Sequence, residues 1–180
     1  MKTSEGLRVV IINGRPGVGK TTFENLCKDI IGRAFVEQRS TVDKVKEIAT
    51  IGGWNGVKDL KSRELLSNLK DIFTKYNDMP FNDVCRSLQL WEDQIAYYQA
   101  GSHPHVFFID DREPEHIQRL KEKLNAVTVL IRRPGDENIE TSNHADANVF
   151  SYWYDYTIDN NGTLEELEGK VRDFLNWLFS

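Results

Sequence analysis

The sequence predicts an α/β fold, a parallel sheet of five short strands with helices on both faces. Three observations predict it. Apolar runs at 8–12, 106–109 and 127–131 have the length and continuity of strands buried on both sides. Between them, apolar residues recur at three- and four-residue spacing, as on helices packed against a core. Glycine and proline punctuate several boundaries. Strands that alternate with helices pair in parallel, because each crossover needs a helix to return the chain.

Each element follows in order. The run at 8–12 is the first strand. Residues 21–31 place Phe23, Leu26, Cys27, Ile30 and Ile31 on one helical face, and Gly32 stops that helix. A second strand is expected at 34–36. Val42, Val45, Ile48 and Ala49 mark a helix ended near Gly52 and Gly53. Two long helices come next. The first carries Leu60, Leu65, Leu69, Ile72, Phe73 and Tyr76. Asp78, Met79 and Pro80 interrupt it, and the second carries Phe81, Val84, Cys85, Leu88, Trp91, Ile95 and Tyr98. His103, Pro104 and His105 read as loop. The third strand, 106–109, ends in Asp110 and Asp111, and Pro114 opens a helix with Glu113 and Glu115 at its positive end. The fourth strand is 127–131. Residues 132–149 are polar and aperiodic and read as a mobile segment. The fifth strand is 154–158. Thr163 and Glu166 form a capping box for the last helix, whose Leu164, Leu167, Val171, Phe174, Leu175 and Leu178 share one face. Most of Trp54, Trp91, Trp153 and Trp177 belong in the core by this reading.

The 180 residues suit one domain, 1–180, with one sizeable core. Composition is ordinary for a soluble protein, at 39% hydrophobic and 28% charged. No apolar run approaches the roughly 20 residues a membrane span needs, and no membrane partner is expected. The net charge of −5 disfavours a nucleic-acid partner, which calls for a basic face. Lysines and arginines do gather between Lys44 and Lys70. Most read as solvated helix surface, with one or two facing an anionic ligand. Cys27 and Cys85 lack metal or redox spacing and read as buried free thiols, so a cytoplasmic location is the default. The four histidines show no metal-ligand spacing. A monomer or a homodimer is equally compatible with the sequence.

The chemistry is carried by Gly14-Arg15-Pro16-Gly17-Val18-Gly19-Lys20-Thr21, a full match to Gly-x-x-x-x-Gly-Lys-[Ser/Thr]. The glycines let backbone N–H groups turn inward around a phosphate. The helix that follows points its positive end at the same oxygens. Lys20 reaches the β- and γ-phosphates, the Thr21 hydroxyl ligates Mg²⁺, and Thr22 continues the site. A chance match in such a chain arises on the order of one time in a hundred. The strand before and the helix after make it rarer. The fold class becomes a three-layer P-loop NTPase fold, with ATP and Mg²⁺ as expected cofactors. Asp110, at the end of a buried strand, is the expected second metal ligand and is preferred to Asp111.

Four segments in order carry a resemblance: 14–21, 58–73, Phe108-Ile109-Asp110-Asp111-Arg112, and the tail at 156–167 with Asn160-Asn161-Gly162-Thr163-Leu164-Glu165-Glu166. The chain resembles the phage-type deoxynucleoside monophosphate kinases and animal-type phosphomevalonate kinases. The resemblance implies an acceptor-binding helical region at about 42–100 and a short lid at about 133–150. It implies that Arg112 touches the acceptor or the transferred phosphoryl group and that Arg63 and Lys46 bind the acceptor. Asn160 and Gly162 would border the adenine. A lid arginine, Arg133 in preference to Arg132, would act in transfer. The implied activity moves the γ-phosphoryl of ATP to a small phosphorylated acceptor, first a (deoxy)nucleoside monophosphate. Alternatives are a kinase for dephospho-coenzyme A or a phosphomevalonate-like metabolite, and an ATP-binding regulatory or interaction protein with little transfer. The segment 51–56, with glycines around Trp54, reads as a packed turn rather than a base-stacking surface.

Overall fold

Strand β1 (Leu7–Asn13) is the most apolar strand, and it takes the centre of the sheet. In the computed structural model, which describes residues 6–57, 59–98, 103–135 and 148–180, five strands form one parallel sheet. The others are β2 (Val36–Ser40), β3 (His105–Asp110), β4 (Val127–Arg132) and β5 (Tyr156–Asp159), in the order β2-β3-β1-β4-β5. Val10 of β1 lies opposite Phe108 of β3 and Val127 of β4, which puts the C-terminal ends of the strands along one edge.

Side chains alternate across β1. Val10 and Ile12 face α1 (Lys20–Ile31) and the last helix, α6 (Leu164–Phe179), where Phe23, Cys27 and Phe174 pack. Leu7, Val9 and Ile11 face α4 (Met79–Tyr97) and α5 (Pro114–Leu124), meeting Leu88, Trp91, Ile117 and Leu120. Each such side chain contributes about 1.5–3 kcal/mol by leaving water. Two cores around one sheet make the three layers. Helix α2 (Asp43–Ile51) and helix α3 (Leu60–Asn77) lie in the region expected to bind an acceptor, and α3 packs against both α2 and α4.

Several local expectations need correction. Residues 33–35 form a 3-10 turn, and β2 starts at Val36. Its sequence, Val-Glu-Gln-Arg-Ser, is half-buried at a sheet edge, so it has no apolar run to read. His105 is not loop. It opens β3, is buried, and donates its backbone N–H to Gly6. Arg132 belongs to β4, and the last strand begins at Tyr156 rather than at 154. Of the four tryptophans only Trp91 is buried, while Trp153 is 93% exposed. Leu164, at the first turn of α6, faces solvent. Cys27 is buried and Cys85 half-buried, both as free thiols. The Trp54 indole N–H donates to Val57 O within the same turn. Of the expected lid at about 133–150, residues 136–147 lie outside the described residues.

Candidate active site

The phosphate loop leaves β1 at the C-terminal edge of the sheet, the side on which doubly wound sheets bind ligands. Its shape depends on two glycines. Gly14 has φ +147°, and a Cβ there would collide with the carbonyl oxygen of Ile131. Gly19, the N-cap of α1, has φ +104°, and a Cβ there would strike the Asn160 amide. No acidic residue occupies the first turn of α1, so the helix's own side chains leave its positive end to an anion. Pro16, Gly17, Thr21 and Thr22 are exposed along the rim, and Val18 is buried beneath it.

Lys20 lies folded over its own loop, donating to Gly14 O at 2.5 Å and Arg15 O at 3.1 Å. Arg15 is buried, with its guanidinium 5.1 Å from the centroid of the Phe150 ring. Asn160 is buried under the loop, and its Nδ2 donates to Val18 O at 2.7 Å. Gly162 is exposed beside the capping box, where a side chain would meet the Glu166 carboxylate. Both of these residues have a structural task in addition to the role the resemblance implies.

Asp110 ends β3 beside the loop. Burial holds its carboxyl above the usual range, while the Gln38 amide, Lys20 and Arg112 pull it down. One turn along α1, Glu24 is fully buried, and burial and then the neighbouring Asp110 raise its pKa to about 9. Gln38 Nε2 bridges the two carboxyls, donating to Glu24 Oε2 at 2.6 Å and Asp110 Oδ2 at 3.2 Å. The raised Glu24 pKa favours its protonated form at neutral pH. The Thr21 hydroxyl and the Asp110 carboxylate are hard oxygen donors of the kind Mg²⁺ takes one or two at a time, alongside water and phosphate.

Asp111 has a different task. It is buried, and its Oδ1 accepts the backbone N–H groups of Arg112 at 2.8 Å and Glu113 at 3.3 Å. Lys70 of α3, also buried, lies 3.5 Å from Asp111 Oδ1 and 2.9 Å from Glu113 Oε1. Burial works to lower the Lys70 ammonium, but the two carboxylates outweigh it and hold it above its ordinary value. The residues on either side of Arg112 are thus pinned to α3.

Lys20 and Arg112 are both close enough to Asp110 to act on its charge. Lys46 is paired with Asp43 at 2.9 Å, and Asp43 is close enough to Asp110 to do the same. Arg63 is exposed in the first turn of α3, with no hydrogen bond or ion pair to these groups among the described residues. Arg133 is exposed just beyond β4, whereas Arg132 forms a two-pronged pair with Asp159, at 2.5 and 3.4 Å.

Asn13, Glu24, Gln38 and Lys70 escape a motif-based reading. Glu24 had a signal, since it is a carboxylate next to Phe23 and four residues from Lys20, on the inward face of α1. Asn13 had one too, as a polar residue closing an apolar strand. Gln38 and Lys70 act through contacts made only in the folded chain.

No family model matches the chain, and no curated protein matches it in sequence. Solved structures share its fold. A shikimate kinase from Aquifex aeolicus superposes with a TM-score of 0.54 at 14% identity, over 96% of this chain and 99% of that one. A protein from Chloroflexus aurantiacus, provisionally described as a kinase, gives 0.50 at 14% identity, over 97% and 98%. At these identities the likeness is one of fold.

Proposed function

We propose that this chain is an ATP-dependent phosphotransferase acting on a small phosphorylated acceptor, with a (deoxy)nucleoside monophosphate as the first candidate. The observation that carries the reading is the convergence of a complete phosphate loop, Lys20, Asp110 and Arg112 at the C-terminal edge of a parallel sheet. The choice of acceptor rests on the sequence resemblance.

In this reading the loop N–H groups and the start of α1 hold the donor phosphates. Lys20 leaves the Gly14 and Arg15 carbonyls to meet the β- and γ-oxygens. Thr21 and Asp110 would hold Mg²⁺, which when bound neutralises charge on the phosphate oxygens. Arg112 faces the transferred group or the acceptor, and Arg133 approaches from the β4 side. An acceptor phosphate has a second pKa near 6, so most of it is ionised at neutral pH and no strong general base is required. The protein's work is to align two anions and offset their repulsion.

A coupled ADP-release assay over a panel of acceptors tests this. Rapid turnover on one nucleoside monophosphate supports the reading. Turnover only on another metabolite replaces the acceptor and keeps the chemistry. Tight ATP binding with no turnover on any acceptor would refute the transferase assignment.

A further inference from the structure

The loop pattern begins at Gly14, yet the loop is also held from outside that pattern. Asn13 is fully buried, and its Oδ1 accepts the Gly14 N–H at 2.7 Å. The other half of the amide, Nδ2, donates to Tyr154 Oη at 2.7 Å. The Tyr154 hydroxyl donates in turn to Val149 O, again at 2.7 Å. The direction of this chain is fixed at both ends. A backbone N–H can only donate and a carbonyl can only accept, so the Asn13 amide has one consistent orientation. Burial pushes the Tyr154 phenol up, which keeps its proton in place at neutral pH. Arg15 makes a second link to the same segment through Phe150.

We propose that Tyr154 is a positioning residue for the phosphate loop. Through Asn13 it orients the first N–H of the loop, so the segment leading into β5 sets the shape in which the loop meets a triphosphate. The proposal rests on the ATP-binding reading above. Neighbouring Tyr152 provides a control, because its ring packs edge-on against Tyr154 while its hydroxyl donates to Gln118 of α5, so Tyr152→Phe keeps the ring contact and removes only a hydrogen bond that leads away from the loop.

The experiment is a calorimetric titration of Mg-ATP into the full chain, comparing wild type with Tyr154→Phe, Asn13→Ala, the double variant and Tyr152→Phe. Tyr154→Phe should weaken binding about tenfold, equivalent to about 1.4 kcal/mol. Asn13→Ala should weaken it at least as much, and the double variant no further than Asn13→Ala alone. Tyr152→Phe should bind as wild type does. Wild-type affinity in Tyr154→Phe, or two losses that multiply in the double variant, would overturn the proposal. A wild-type chain that binds no Mg-ATP would instead refute the functional reading. Exchange of the Gly14 amide then decides the positioning claim without nucleotide. Faster exchange in Tyr154→Phe supports it, and unchanged protection overturns it.

Discussion

The side-chain amide of Asn160 donates to the carbonyl of Val18 across 2.7 Å, tying the end of β5 to the phosphate loop. The Asn160 backbone N–H reaches Arg132 O at the same time, so one residue joins β4, β5 and the loop. Replacing it with alanine strands a buried carbonyl, at a cost of about 1–3 kcal/mol. Asn160→Ala should lower the melting temperature and weaken Mg-ATP binding several-fold. Asn160→Asp should do worse, because a carboxylate cannot donate to Val18 O and brings negative charge under a phosphate site. Thermal melts and calorimetry of both variants check the order.

Lys70 is predicted to be essential to stability. Removing it takes a buried ammonium away from Asp111 and Glu113, which keep the His116 ring at 3.8 and 3.7 Å, and breaking a buried pair from one side costs about 3–5 kcal/mol. Lys70→Met should therefore be strongly destabilised in urea at pH 7. The raised Lys70 pKa means its pairing persists until the ammonium deprotonates, well above neutrality.

Glu24 gives a pH dependence with a definite sign. Its folded pKa of about 9 exceeds the ordinary 4.5, so the folded chain holds a proton that the unfolded chain releases. Its contribution is fully present below about pH 4.5 and is lost as pH rises towards 9. Within that window stability should fall with rising pH from this group alone. Glu24→Gln keeps the shape and still accepts from Gln38. Urea midpoints between pH 5 and pH 8.5 should fall less steeply in Glu24→Gln than in wild type.

The arginines after β4 should separate cleanly. Arg132 is paired with Asp159 near the surface, and exposed pairs contribute at most about 1 kcal/mol. Arg132→Ala should leave turnover near wild type. Arg133→Ala should lower kcat by tenfold or more if it meets the transferred group. Parallel kinetics on the acceptor found in the ADP-release panel would show the difference.

What the sequence made legible followed from how strongly each element signals itself. β1, β3 and β4 are buried on both faces and read as continuous apolar runs. The phosphate loop is a local backbone demand, so its glycines and Lys20 were visible as letters. The capping box of α6 was visible for the same reason. β2 was misplaced because an edge strand needs little apolar content. His105 was misread because its burial depends on Trp91 and Phe35, both distant in sequence. The links that shape the site, from Asn13 to Tyr154, Gln38 to Asp110 and Lys70 to Asp111, span 41 to 141 positions and leave no periodic trace. Of these partners the sequence singled out only Asp110, from its place at a strand end.

The most direct test of the central claim is Mg-ATP binding to wild type and Lys20→Ala, read by calorimetry alongside thermal melts. Lys20 is half-exposed on the rim of the loop and donates to the Gly14 and Arg15 carbonyls, and the fold should survive its loss. The account predicts that wild type binds Mg-ATP, that Lys20→Ala binds it about a hundredfold more weakly or not at all, and that the two melt at similar temperatures. Equal affinity in the two proteins would contradict the assignment of residues 14–21 as the triphosphate cradle.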